Sequence, residues 1–284
     1  FLSCIAALII VGALDDKFDI SFKIRLAVQA VLSIAMICFA DIQLENIGNI
    51  FGFGDIHLGL LSPIITILAV IGAINAFNMV DGIDGLLGGL AIVTFAAIAV
   101  LLKVDSQHGL AYLCVVFIVA IIPYILMNLG ILGRERKVFM GDAGSMMIGF
   151  TVIWLLLGAS QESSEILMRP ITALWLIAIP LMDMATIMFR RIRRGDSPFK
   201  PDREHLHHIF QRLGCTPRQT LAIICLIAGV FAGFGIYGEI HGISERTMFT
   251  LFIICFLGYA IAMSYVWRIT GWVKRCKKSP NKAY

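Results

Sequence analysis

The chain has 284 residues, 59% hydrophobic and only 15% charged, with a net charge of +4 and a mean hydropathy of +0.88. A soluble domain carries about 25% charged residues, so these values exclude an ordinary soluble enzyme. The apolar residues come in blocks of about 20, the length a helix needs to cross hydrocarbon, and no alternation of the kind a membrane barrel needs is present. The expected fold is an all-α polytopic membrane protein, because helices satisfy their own backbone groups in lipid.

Nine apolar segments follow in chain order: 1–14, 24–40, 58–78, 86–103, 110–128, 143–160, 170–190, 219–238 and 247–268. The first has about 14 residues, too few to span a bilayer. With no basic n-region or cleavage site it reads as the end of a truncated span, not as a signal peptide. The expected organisation is one integral-membrane domain over 1–284, with spans missing before it and a basic, His-containing cytoplasmic loop at 190–218. The seven Cys show no C-x-x-C spacing and fall mostly in apolar runs, where Cys behaves as a small hydrophobe.

Orientation follows from the loops. The odd-numbered loops and the tail hold 20 of the 23 Lys and Arg, leaving only Lys103, Arg169 and Arg246 on the other side. The positive-inside rule therefore makes the odd loops and the C-terminus cytoplasmic. Asp15, Asp16, Asp19, Asp81, Asp84, Asp142, His205, His207 and His208 all fall on that side, at or near span ends.

Four stretches carry chemistry. Adjacent Asp15 and Asp16 repel unless a cation or donor neutralises them; metal or phosphate chemistry competes there with a solvated helix end. Asn75, Asn78, Asp81 and Asp84 recur at three-residue steps, so Asn75, Asn78 and Asp81 can line one cleft wall. Asn bonding between helices is the alternative for the two Asn and a poor account of the two Asp. In Phe139-Met-Gly-Asp142-Ala-Gly-Ser145, small residues open a helix whose free N–H groups suit a phosphate. Asp142 offers the hard oxygen a divalent cation wants; an N-cap accounts for Asp142 but not for both glycines. His205, His207 and His208 lack a Cys or other zinc partner nearby and suit a diphosphate or sugar better. Asp183, inside a span, is either functional or a helix–helix bond.

Together these stretches resemble the polyprenyl-phosphate N-acetylhexosamine-1-phosphate transferases, the MraY/WecA-like family. The family's Asp-Asp pair matches Asp15-Asp16, and its N-x-x-N-x-x-D-G-x-D-G-L matches Asn75 to Leu86. Its F-M-G-D-x-G-S matches Phe139 to Ser145, and its His motif matches His205, His207 and His208. The order H-L-H-H, in place of three consecutive His, is similar to the branch that uses UDP-N-acetylglucosamine. The resemblance implies two further spans, with a Gly-rich loop between them, before Phe1.

The implied reaction is transfer of GlcNAc-1-phosphate from UDP-GlcNAc to undecaprenyl phosphate, releasing UMP, with Mg²⁺ or Mn²⁺. It would be the first membrane step of an O-antigen or enterobacterial common antigen type polysaccharide, at the bacterial inner membrane. Asp142 is then the expected metal ligand, and Asp15 or Asp16 the group that steers or deprotonates the lipid phosphate. Asn75, Asn78, Asp81 and Asp84 would form the nucleotide-facing wall, Phe139 would stack on uracil, and Arg203, His205, His207 and His208 would hold diphosphate or sugar. The expected partners are the two substrates and the bilayer, with no nucleic acid; a homodimer stays open. Alternatives are another UDP-sugar (MurNAc-pentapeptide or GalNAc), a covalent Asp–phosphate intermediate, or an ion-coupled transporter, against which the one-sided clustering of carboxylates and the lack of a repeat argue.

Overall fold

The computed structural model describes residues 1–104, 108–161, 168–198 and 205–278, and side chains except those of Arg134 and 266–278. It is helical, and among the described residues the only β pairing is an isolated bridge between Asn46 and His57. In order, the helices are α1 (Leu2–Phe18), α2 (Phe22–Ala40), α3 (Ser62–Met79), α4 (Leu86–Val104), α5 (His108–Asn128), α6 (Gly141–Gln161), α7 (Pro170–Leu176), α8 (Ala178–Arg193), α9 (Leu206–Arg212), α10 (Pro217–Ile240) and α11 (Glu245–Lys278). Each of the nine apolar segments coincides with a helix or, at 170–190, with a pair. Among the described residues, seven helices are long and apolar enough to cross a membrane, and the bent pair α7–α8 makes an eighth. The protein is thus a multi-pass membrane protein.

Two differences from the sequence reading have local causes. Segment 170–190, expected as one span, bends by 82° between α7 and α8. Pro180 lies four residues after Leu176; it has no N–H for the Leu176 carbonyl, and its ring excludes that carbonyl from a continuous helix. The freed Leu176 carbonyl accepts instead from the buried Thr94 hydroxyl, at 3.3 Å. At the N-terminus, α1 runs past its apolar stretch through Asp15 and Asp16 to Phe18, and ends at Asp19 in the left-handed region (φ 51°). The Asp pair is therefore fixed in a last helical turn.

Helix α6 is the hub. Lipid offers no hydrophobic drive for helices to associate, so close packing at small residues must hold them. A Cβ on Gly149 would lie 2.7 Å from the Ile74 Cα, and one on Gly12 would lie 2.3 Å from the Ala143 Cα. Thus α3 and α1 approach the backbone of α6 on two sides. Around these contacts Phe150, Leu8, Met36 and Ile74 are fully buried, and Phe95 stacks on Phe117 at 5.1 Å. At the opposite end of the bundle, Trp175 packs against Phe234 at 4.4 Å, and Arg169 binds the Glu239 carboxylate at 3.1 Å. The packing leaves the C-terminal ends of α1 and α3 and the N-terminal ends of α2, α4 and α6 at one end of the molecule.

Candidate active site

The α1–α6 approach brings the Asp pair to the start of α6. Asp15 is buried and Asp16 exposed. The Asp16 carboxylate accepts from the backbone N–H of Asp142 at 2.9 Å and of Ala143 at 3.5 Å. It thus sits where the free N–H groups of a helix start receive an anion. Gly141 permits this with φ of +65°, and a Cβ there would collide with the Asp16 carboxylate.

Arg25, from the first turn of α2, closes the other side. Its Nη1 donates to Asp15 Oδ2 at 2.6 Å and to Asp142 Oδ2 at 3.1 Å. Two carboxylates from helices distant in sequence so converge on one cationic nitrogen. The second Asp142 oxygen accepts from the Asn78 amide at 2.5 Å, and the same amide reaches the buried Ser145 hydroxyl at 2.8 Å. Asn75 turns instead to α2, donating to Gln29 Oε1 at 2.8 Å, so it ties two helices together one turn below the cluster. Among the described residues no three His, Cys, Asp or Glu side chains are arranged to hold a metal. The donor set nonetheless suits a hard cation. Asp15 and Asp142 offer carboxylate oxygens, and the guanidinium between them is a stand-in positive charge.

The 80–85 loop forms the next wall. Gly85 N–H donates to Asn128 Oδ1 at 2.5 Å, and the Asn128 amide donates to the Val138 carbonyl at 2.7 Å. The buried Asn128 thereby joins this loop to the strand-like stretch that carries Phe139. Asp84 pairs with Lys137. Phe139 is 80% exposed, free to meet a planar ring. Asp81 has its pKa pushed up to about 6 by desolvation and then by the carboxylates of Asp142, Asp84 and Asp16.

The folded state holds the Asp81 proton more tightly than the unfolded chain does, so stability falls as pH rises from 3.8 through about 6. Asp81→Asn is therefore expected to raise the melting temperature of the cation-free protein at pH 7.5, and to leave it unchanged near pH 4. Thermal unfolding in detergent at the two pH values checks this; equal shifts at both would contradict it.

The His run reaches the same wall. His207 is buried, its Nε2 has no hydrogen-bond partner, and a Cβ on Gly82 would lie 2.2 Å from its ring. Burial, with His208 and His205 nearby, lowers its pKa to about 3, so the ring is neutral. The His208 ring lies 4.2 Å from it. His205 binds the carboxylate of Asp183. Arg203 lies outside the described residues.

Of the expected site residues, Asp15, Asp16, Asn78 and Asp142 are joined directly or through Arg25; Asp81 lies within electrostatic reach of Asp142 and Asp16, Asp84 pairs with Lys137, His207 meets the 80–85 loop at Gly82, Phe139 is exposed, and Asn75 turns to Gln29. The sequence reading missed Arg25, Gln29, Asn128 and Lys137. In the sequence Arg25 and Lys137 stand out only as basic residues of the odd-numbered loops. A signal existed for α2: Arg25 and Gln29 stand four residues apart, on one face of an otherwise apolar helix.

The chain is 51% identical over its full length to the undecaprenyl-phosphate alpha-N-acetylglucosaminyl 1-phosphate transferase of Yersinia pestis, covering 78% of that protein. It is 51% identical over 98% of its length to the protein of the same name from Escherichia coli O157:H7, covering 76% of it. To the Haemophilus influenzae protein of that name it is 49% identical, over 99% of its length and 79% of the relative's. The description "Glycosyl transferase family 4" matches residues 1–160, the part that holds Asp15, Asp16, the 75–85 stretch and Asp142. By this match over more than half of its length, the chain belongs to glycosyl transferase family 4.

Proposed function

We propose that this protein transfers GlcNAc-1-phosphate from UDP-GlcNAc to undecaprenyl phosphate, giving undecaprenyl-diphosphate-GlcNAc and UMP, at the cytoplasmic face of the bacterial inner membrane. In this reading it opens the assembly of a cell-surface polysaccharide. The observation that supports the reading best is the meeting of Asp16 and Asn78 with Asp142, and of Asp15 with Asp142 through Arg25, at one end of the bundle. A lipid phosphate at the inner leaflet and a cytoplasmic nucleotide sugar could both reach that end.

The reaction joins an oxygen of the lipid phosphate to the sugar-bearing phosphorus of UDP-GlcNAc and breaks the bond from that phosphorus to the UMP oxygen. Phosphate monoesters have a second pKa near 6, so the attacking dianion is abundant and needs little base assistance. Charge repulsion is the larger obstacle, and positioning and neutralisation are the protein's main work. Asp142, with Asp15 beside it, would hold a Mg²⁺ or Mn²⁺ ion. When bound, the ion would neutralise the diphosphate and polarise its oxygens. Arg25 neutralises the two carboxylates and stands ready to meet phosphate. The exposed Asp16 marks the anion position at the start of α6; it would steer the incoming lipid phosphate and yield its N–H partners to a phosphate oxygen. Asp81 and Asp84 would face the nucleotide, Phe139 would stack on uracil, and the His run with Arg203 would receive the diphosphate sugar.

Asp84→Asn should act mainly on binding, raising the KM for UDP-GlcNAc about tenfold with kcat nearly unchanged. Its pairing with Lys137 is partly exposed and worth less than about 1 kcal/mol, so the melting temperature should hardly move. Steady-state kinetics with saturating lipid phosphate check this; a loss of kcat alone would contradict it.

The activity itself is tested by incubating membranes carrying the intact protein with labelled UDP-GlcNAc, undecaprenyl phosphate and Mg²⁺, against unlabelled UDP-GlcNAc, UDP-GalNAc and UDP-MurNAc-pentapeptide as competitors. Label should pass into the lipid extract, and only unlabelled UDP-GlcNAc should suppress it. Suppression by another UDP-sugar would reassign the donor.

A further inference from the structure

We propose that Asp183 is a positioning residue for the His run. With Tyr259 it fixes the ring of His205, and through the neighbouring rings it seats His207 against the 80–85 loop. This rests on the reading that the His run receives the diphosphate sugar.

Asp183 lies in α8 just past the Pro180 bend and is 2% exposed. A carboxylate buried there is costly unless donors surround it, and three do. Its Oδ2 lies 2.8 Å from His205 Nδ1. Its Oδ1 accepts from the Leu206 backbone N–H at 3.1 Å and from the Tyr259 hydroxyl at 2.7 Å. The Leu206 N–H and the Tyr259 hydroxyl both donate to the other oxygen of this carboxyl group, and with Oδ2 accepting as well the donor facing it is His205 Nδ1–H. One group thereby sets the tautomer and ring plane of His205 and holds the start of α9 against α8 and α11.

The order continues along the His run. The His205 and His207 rings are nearly parallel, 6° apart with centroids 5.6 Å from one another. His207 abuts Gly82, at the one residue type that leaves it room. Asp81 precedes that contact and Asp84 follows it, so the placement set at Asp183 is delivered to the wall that faces the nucleotide. If Asp183 merely stapled α8 to α9, its loss would act independently of the His205 ring. If it acts through that ring, the two losses must overlap.

The test compares Asp183→Asn, His205→Asn and the double variant in the intact protein, reading kcat and the KM for UDP-GlcNAc. Asp183→Asn should raise that KM about tenfold with kcat within about threefold, His205→Asn should do the same, and the double variant should be no worse than either. Tyr259→Phe keeps the ring packed and removes one donor. It should raise the KM about threefold, and not at all in the His205→Asn background. Effects that multiply in the double variant, or a fall in kcat with unchanged KM, would overturn the proposal. Should the wild-type protein transfer no sugar, the activity reading fails separately, and ¹⁵N NMR of histidine-labelled protein still decides the pairing. A His205 Nδ1–H signal that shifts in Asp183→Asn supports it; a signal that does not shift overturns it.

Discussion

Asp142→Asn is expected to abolish metal-dependent transfer, lowering kcat by about 1,000-fold or more, with no recovery as Mg²⁺ is raised. The asparagine can still accept from Asn78 through one oxygen. Its amide would then face the Arg25 guanidinium, donor against donor, where the native carboxylate accepts at 3.1 Å. The change removes one of the two carboxylates that converge on that position while sparing the apolar packing of α6. GlcNAc-1-phosphate transfer measured across a Mg²⁺ titration checks it. If Asp142→Asn instead only weakened UDP-GlcNAc binding, and Asp84→Asn removed metal-dependent turnover, the cation would belong to the 75–85 stretch.

Gly12→Val should be nearly as damaging from outside the charged cluster, lowering activity about 100-fold and the melting temperature with it. A Cβ at Gly12 would meet the Ala143 Cα at 2.3 Å and the Ala143 nitrogen at 2.4 Å. These are backbone atoms of α6 and cannot swing aside, so α1 must back away. Overpacking of this kind costs about 1–3 kcal/mol. The larger loss is positional, because Asp16 would leave the N–H groups of Asp142 and Ala143, and Asp15 would leave Arg25. Gly229→Ala in α10 is the control: a Cβ there meets nothing within 4 Å, so activity should stay at the wild-type level. Equal activity of Gly12→Val and Gly229→Ala would show that the α1–α6 contact does not hold the site.

Much of this arrangement was legible in the sequence, because membrane helices announce themselves by length and apolarity, and because Asp and Asn beside hydrocarbon need a reason. Asp15, Asp16, Asn78 and Asp142 stood out on that ground, and their ends do meet. Other features escaped, three of them for clear physical reasons. The 82° bend was hidden because Pro180 sits in an otherwise uniform apolar run, and hydropathy does not register a missing N–H. Arg25 was absorbed into the positive-inside count, since a topological charge and an ion-pair partner for Asp15 and Asp142 ask for the same residue type at the same span end. Asn75, spaced like its neighbours, turned out to face Gln29: spacing by three drifts around a helix, and one turn was enough to take it to a different partner. Asp183 had two readings in the sequence, function or a helix–helix bond; its contact with Tyr259 is such a bond, and its contact with His205 is what the proposed positioning role is argued from.

We propose that transfer is a single direct displacement by the lipid phosphate at the Asp142 cluster. The measurement that tests this most directly is exchange of radiolabelled UMP into UDP-GlcNAc by the intact protein. Exchange is expected only when a divalent cation and undecaprenyl phosphate are both present, because UMP can re-enter only by attacking the lipid diphosphate product. Exchange without the lipid would reveal a covalent sugar-phosphate intermediate on the enzyme, and no exchange under any of these conditions would contradict the transferase reading altogether.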